Sequence, residues 1–179
     1  MSLPLLILAV VGAVNAPRIR PALARAGTAR WTVATAGLGL ALAAVVGVAA
    51  GSGPFLDGID VSAEAWRVAA GVVLLAAGVR VVVSPRAAVE PALAGYGAAL
   101  VPVAFPLLLT PELVMLGVSA GADLGAVATS LAAAIALAGV AVIPYERFPA
   151  TLAAAAARFH GAFVVVGGLA LIVEGIRDI

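Results

Sequence analysis

The sequence predicts an all-α integral membrane protein in which six transmembrane helices form two inverted three-helix repeats. Three observations lead to this fold class: the composition, the number of apolar windows, and an internal repeat at half the chain length. Of the 179 residues, 64% are hydrophobic and 11% are charged. A soluble domain of this size cannot bury so much apolar surface, so lipid is the expected solvent for most of it. We therefore predict a single transmembrane domain at 1–179, with repeat one at 1–90 and repeat two at 91–179.

Apolar windows of spanning length define the helices. They lie at residues 2–16, 31–51, 62–83, 97–121, 124–143 and 151–176. The connections contain turn residues, including Gly51-Ser52-Gly53-Pro54 and Ser84-Pro85. The first window is shorter than the roughly 20 residues that a span needs. This helix therefore either ends near residue 16, or breaks and continues toward residue 27.

The fourth helix is predicted to break near the middle of the membrane. Pro106 and Pro111 cannot both lie in one unbroken helix, because each lacks an N–H and clashes with the carbonyl group four residues earlier. Thr110 suits a helix cap, Pro111 the first helical position and Glu112 the first turn, so a second helix is expected to start here. Broken helices at membrane depth are tolerated where they are buried or line a cavity, and in transporters they often form the substrate site.

The distribution of arginine predicts the orientation in the membrane. Arginines cluster between the first and second helices, whereas the alternate loops contain the aspartates Asp57, Asp60 and Asp123. Since cytoplasmic loops carry an excess of basic residues, we expect the arginine-bearing loops to face the cytoplasm and both termini to lie outside. The predicted location is the bacterial cytoplasmic (inner) membrane, with a multi-pass topology.

An internal repeat at an offset of 90 residues aligns residues 15–23 with residues 105–113. The same offset superimposes two pairs of glycines, Gly71 on Gly161 and Gly78 on Gly168. Each half contains an odd number of predicted spans, so the two halves are expected to be inverted in the membrane. Small residues at heptad spacing also let helices approach closely, so we expect the third and sixth helices to pack through these glycines.

The repeat also bears on the first helix. By symmetry this helix should break between Asn15 and Pro21, which would bring Arg18 or Arg20 near membrane depth. An arginine at that depth is costly and indicates a functional site. The alternative is that Arg18 and Arg20 lie in a cytoplasmic loop, as the orientation rule allows.

Three motifs carry a resemblance to a known family. Asn15-Ala16-Pro17-Arg18 follows the first span, Pro102 and Pro106 precede Thr110-Pro111 in the fourth, and the third span opens Trp66-Arg67-Val68-Ala69-Ala70-Gly71. With these motifs the chain resembles, over nearly its whole length, the MarC family, a neutral amino acid transporter group of the LysE-type superfamily. The family pattern lacks the inserted Ala16 and has Gly-Pro at Thr110-Pro111. The resemblance implies six spans in two repeats and transport of small neutral solutes, amino acids foremost.

The predicted substrate site lies at the two breaks. It comprises Asn15, Pro17, Arg20, Pro21, Pro106, Thr110, Pro111 and Glu112. Glu112 either binds a proton or a solute ammonium group, or caps only its own helix. Arg20 is its expected counter-charge, and free N–H groups at a helix start suit a carboxylate. Together these groups suit a small zwitterionic solute.

Other charged residues have simpler interpretations. Arg67 is expected to extend to the lipid headgroups or to pair with Glu64 one turn away. Arg158 and His160 are expected to anchor the sixth helix at the membrane interface, with a proton relay as the alternative.

The composition also excludes several functions. The chain has no cysteine and a single histidine, which excludes a zinc-thiolate or multi-histidine metal site within one chain. A net charge of +1 argues against nucleic acid as a partner. No catalytic grouping is recognisable, so we predict neither an enzyme nor a cofactor. The predicted function is a membrane transporter, and the alternative is a non-transporting subunit or scaffold of a larger membrane complex. The expected partners are the lipid bilayer and a small solute, with further copies or subunits in an oligomer.

Overall fold

The computed structural model of the protein describes residues 3–13, 30–84, 95–142 and 149–179. Its α-helices are α1 (Leu3–Ala13), α2 (Arg30–Ala50), α3 (Ser52–Gly58), α4 (Ala63–Val83), α5 (Pro111–Val142) and α6 (Ala150–Asp178). Before α5 the chain forms a 3₁₀ helix at Gly95–Ala99 and a wider, π-type stretch at Leu100–Leu108. Every element in the described ranges is helical, which confirms the predicted all-α class for this part of the chain.

Four helices in these ranges are long and apolar enough to cross a membrane. They are Trp31–Ala50, Ala63–Val83, Pro111–Gly139 and Ala154–Asp178. Their outward faces are apolar too: on α5, Val127, Leu131 and Ile135 lie one turn apart and are 76%, 60% and 68% exposed. An exposed apolar stripe of this kind is unfavourable in water and suits lipid. These helices therefore support the prediction of a membrane protein.

The interior lies among α1, α2, α4 and α5. Large side chains from all four helices are fully or almost fully buried there, namely Leu6, Val33, Leu74, Leu113 and Leu116. The helix α4 begins where the sequence predicts, because Ser62 caps it by accepting a hydrogen bond of 3.2 Å from the Ala65 N–H.

The short helix α3 was not predicted. The sequence indicated a turn at residues 51–54, but the chain forms a helix from Ser52 to Gly58 instead. Pro54 is compatible with this helix because it lies in the first turn, where its missing N–H would have no helical partner. Leu56 is buried and fixes α3 against the protein. Asp57, predicted to lie in a loop, belongs to this helix.

Helical geometry is interrupted within α5 at Gly125, whose φ is 82° and ψ is 163°. This combination is accessible to glycine and to almost no other residue. We call residues 111–124 the first arm of α5 and residues 126–142 the second arm. The sequence predicted one helix to end at residue 121 and the next to begin at residue 124, close to this interruption. Asp123, predicted to lie in a loop, instead lies in the first arm.

The helices α4 and α6 pack backbone against backbone through four glycines. A Cβ atom added at Gly71 would lie 2.8 Å from the carbonyl oxygen of Gly168, and one at Gly78 would lie 2.8 Å from that of Gly161. Since the earlier glycine of α4 meets the later glycine of α6, the two helices are antiparallel. The predicted packing of these helices through their glycines is confirmed.

Candidate functional site

The start of α5 follows a stretch in which the helix is interrupted twice. Val101 and Phe105 have extended backbone, with φ of −132° and −130° and ψ of 116° and 128°. The Thr110 side chain then accepts a hydrogen bond of 3.2 Å from the Leu113 N–H, and Pro111 is the first helical residue. The predicted cap by Thr110, with Glu112 in the first turn, is therefore confirmed.

Thr110 also connects α5 to α1. Its hydroxyl group donates a long hydrogen bond of 3.5 Å to the carbonyl oxygen of Ala13. In a continuous helix this oxygen would accept from residue 17, but Pro17 has no N–H to donate. Thr110 is buried, so its hydroxyl satisfies one group at each of the two helices it joins.

His160 makes a second contact with α1. Its Nε2 atom lies 3.0 Å from the carbonyl oxygen of Gly12, and because a carbonyl oxygen only accepts, Nε2 is the donor in this bond. The sequence predicted His160 to anchor α6 at the membrane interface. In the structure this side chain is half-buried between α6 and α1, and its anchoring at the membrane interface stays a prediction.

A small cavity lies where α1, α4, α6 and the start of α5 meet. Its polar side chains come from Arg80, Thr110 and Glu112. Its apolar walls include Leu74, Val81 and Val164. The volume is about 30 Å³. Since one water molecule needs about 10–15 Å³ by this measure, the cavity has room for about two.

The cavity brings two of the predicted site residues together. Thr110 and Glu112 both line it. Pro111 lies beside them with its side chain exposed, and Pro106 belongs to the interrupted stretch before them. The predicted residues Asn15, Pro17, Arg20 and Pro21 lie outside the described part of the chain.

Arg80 is the cavity residue that sequence reasoning missed. It lies in the last turn of α4, where a basic residue is commonly explained by the negative end of the helix dipole. The available signal was an arginine inside an apolar helix, which by itself indicates a functional site. The cavity is lined by α4 from Leu74 to Val81. The predicted position of the site near the membrane midplane stays a prediction.

A second polar cluster joins the start of α4, the end of the first arm of α5 and the end of α6. The Arg67 guanidinium lies 2.7 Å from Asp123 and 2.5 Å from Asp178, and the side chain is only 3% exposed. A buried charge must be paired, which explains why Arg67 neither extends to the headgroups nor depends on Glu64, as the sequence had predicted. Beside it, the Trp66 indole N–H donates to the Met115 carbonyl oxygen at 3.0 Å.

The fold defines a class: an all-helical protein whose long apolar helices suit a membrane, with a small polar cavity at a helix start. Compared with known proteins, the chain matches no family model, no curated protein and no solved structure. The resemblance to the MarC family therefore stays a prediction.

Proposed function

We propose that the protein is a multi-pass transporter of the bacterial cytoplasmic membrane that moves small neutral solutes, amino acids foremost. The observation that carries the proposal is the polar cavity at the start of α5, directly after the interrupted stretch. Discontinuous helices lining a cavity are a recurring device for binding solutes inside transporters. Both termini lie outside on this proposal, with the first and fourth spans broken.

The charges at the cavity suit a zwitterion. Arg80 and Glu112 line the same small space from α4 and α5. A solute carboxylate would bind the Arg80 guanidinium, and a solute ammonium group would bind the Glu112 carboxylate. The carbonyl oxygens of Gly12 and Ala13 each have a second lone pair for an ammonium group, beside the bonds that they accept from His160 and Thr110. In the described part of the chain, Arg80 takes the role that the sequence assigned to Arg20.

Six spans in two inverted repeats are part of the same proposal. Two features support them. The interruption at Gly125 divides α5 into two arms close to the boundary that the sequence predicts between the fourth and fifth spans. The antiparallel contact of α4 with α6 also has the geometry expected when the third helices of two inverted halves meet.

The cavity volume implies movement. Room for about two water molecules is too little for any amino acid. Binding therefore requires α4 and α6 to separate from α1 and the start of α5, so the described conformation corresponds to a contracted site. Arg80 is exposed, so the site reaches the surface of the protein at the C-terminal end of α4.

Uptake of radiolabelled neutral amino acids into proteoliposomes tests the proposal. We expect uptake by the wild-type protein and its loss in Glu112→Gln, because the amide keeps the size and hydrogen bonding but loses the charge. Asp57→Asn is the matched control, since this exposed acid on α3 lies outside the cavity. Uptake by Glu112→Gln equal to that of the wild type would reject the role of this carboxylate.

The small cavity also favours a second candidate, a non-transporting subunit or scaffold of a larger membrane complex. In that case the wild-type protein gives no flux for any neutral solute tested. Stable co-purification of other membrane subunits would then support the scaffold.

A further inference from the structure

We infer that Arg67, Asp123 and Asp178 form an ion-pair latch that controls when α4 and α6 separate from α5. The latch lies at the opposite end of α4 from the cavity. The inference rests on the proposed function for its purpose, which is to regulate access to the site. Its geometry and its test do not depend on transport.

The contacts hold the Arg67 guanidinium group between the two carboxylates. Arg67 places Nε at 2.9 Å and Nη2 at 2.7 Å from one oxygen of Asp123, and Nη1 at 2.5 Å from Asp178. Asp123 is 8% exposed and Asp178 is 33% exposed. Buried ion pairs contribute little net stability compared with apolar residues of the same shape, but losing one partner is strongly destabilising. A contact of this kind therefore specifies one arrangement of the helices more than it strengthens the fold.

The two ion pairs differ in what they join. Arg67 to Asp178 connects α4 to α6, and these helices already touch through their glycine backbones. We call these two helices the α4–α6 pair and expect them to move together. Arg67 to Asp123 connects this pair to the first arm of α5. Of the two ion pairs, only the second has to break for the α4–α6 pair to move away from α5, together with the hydrogen bond from Trp66 to Met115.

The cavity and the latch occupy two ends of one interface. Arg80 and Arg67 are separated by about 20 Å along α4, from a rise of 1.5 Å per residue. Glu112 and Asp123 are separated by about 16 Å along the first arm of α5 by the same rise. The non-helical Gly125 follows Asp123 by two residues and is a suitable hinge for the first arm. Breaking the Arg67–Asp123 contact would thus free the first arm to turn about Gly125, which moves the start of the arm at the cavity most.

The absence of cysteine in the chain makes a direct test possible. Ser119 is 0% exposed and lies one turn before Asp123 on the same face of the first arm, so Ser119→Cys provides a single thiol on the face that meets α4. We expect slow maleimide labelling of this variant in proteoliposomes. Adding Asp123→Asn should raise the labelling rate about tenfold or more, because loss of one partner of a buried pair shifts such an equilibrium by at least that factor.

Two controls separate opening from loss of structure. Ala133 is also 0% exposed but lies on the second arm, beyond Gly125, so labelling of Ala133→Cys should not change with Asp123→Asn. Asp57→Asn, at an exposed position, should change neither rate. Unchanged labelling of Ser119→Cys, or an equal rise at both cysteines, would overturn the latch.

If Asp123→Asn does not yield folded protein, Arg67→Gln replaces it, because this change also removes the Arg67–Asp123 ion pair. The same rise in labelling is then expected, and no rise would overturn the inference. Outcomes for the latch and for transport are distinguishable. Faster labelling without wild-type flux keeps the latch and rejects the transporter. Wild-type flux with unchanged labelling keeps the transporter and rejects the latch.

Discussion

Gly168→Ala tests the packing of α4 against α6 most directly. A Cβ at position 168 would lie 2.7 Å from the Leu75 nitrogen and 2.8 Å from the Gly71 carbonyl oxygen. Both atoms belong to the main chain of α4, so neither can rotate away as the end of a flexible side chain could. The helices must move apart to accommodate one methyl group, and the contacts on both sides of it loosen.

The expected loss follows from two opposing terms. Overpacking costs about 1–3 kcal/mol, and main-chain neighbours favour the upper half of that range. Replacing glycine by alanine inside a helix gains about 1 kcal/mol in propensity. The net loss is then about 1–2 kcal/mol, which corresponds to a fall of about 2–8 °C in Tm for a chain of this length.

Thermal unfolding in detergent, followed by circular dichroism, measures this change. Gly39→Ala is the matched control, because nothing lies within 4 Å of a Cβ added at this position in α2. Its Tm should rise slightly or stay constant. If Gly168→Ala melts at or above the wild-type temperature, the close contact between α4 and α6 does not determine their separation.

Two further substitutions test the ends of the first arm of α5. Thr110→Ala should lower the free energy of unfolding by about 1 kcal/mol, because the cap is lost. Thr110→Ser keeps the hydroxyl group and should keep most of this stability. Equal losses in both variants would show that the methyl group of Thr110, and not the cap, is responsible. Gly125→Ala should cost about 1–3 kcal/mol, because only glycine readily adopts its backbone conformation. Gly139→Ala has open space and no such φ, so it should not lower Tm, and equal effects at both glycines would contradict the argument.

Sequence reasoning succeeded where the signal is local. The long apolar windows located α2 and α4 to within a residue or two, because a bilayer demands uninterrupted apolar length. Thr110 and Glu112 were recognised because capping chemistry depends on neighbours in the chain. The glycine contact was predicted because small residues at heptad spacing have few other uses in apolar helices.

The charge pairs could not be predicted in the same way. Arg67 pairs with Asp123, which lies 56 positions later in the chain, and with Asp178, which lies 111 positions later. Nothing in the local sequence selects either aspartate over the nearby Glu64. The pairing depends on the packing of three helices, which brings side chains that are far apart in the sequence close together. Arg80 at the cavity is a similar case, because its meeting with Glu112 depends on the antiparallel approach of α4 and the first arm.

The glycine contacts carry more information than packing alone. At an offset of 90 residues, Gly71 corresponds to Gly161 and Gly78 to Gly168. Gly71 meets the carbonyl oxygen of Gly168, and Gly161 meets that of Gly78, so each contact maps onto the other when the halves are exchanged. The next neighbours also correspond, namely Ile172 for Gly71 and Val82 for Gly161. A self-complementary contact of this kind is what a two-fold axis generates, and it supports two halves related by inversion in the membrane.

This symmetry predicts the outcome of paired substitutions. Gly71→Ala and Gly161→Ala place the added methyl group at 2.8 Å and 2.9 Å from equivalent carbonyl oxygens. Their losses in free energy of unfolding should therefore agree within about 0.5 kcal/mol, the usual accuracy of such comparisons. Combining Gly71→Ala with Gly168→Ala, which meet in one contact, should cost less than the sum, because the first methyl group already separates the helices. A large loss at Gly71 with none at Gly161 would show that the two environments differ and that the repeat does not extend to this interface.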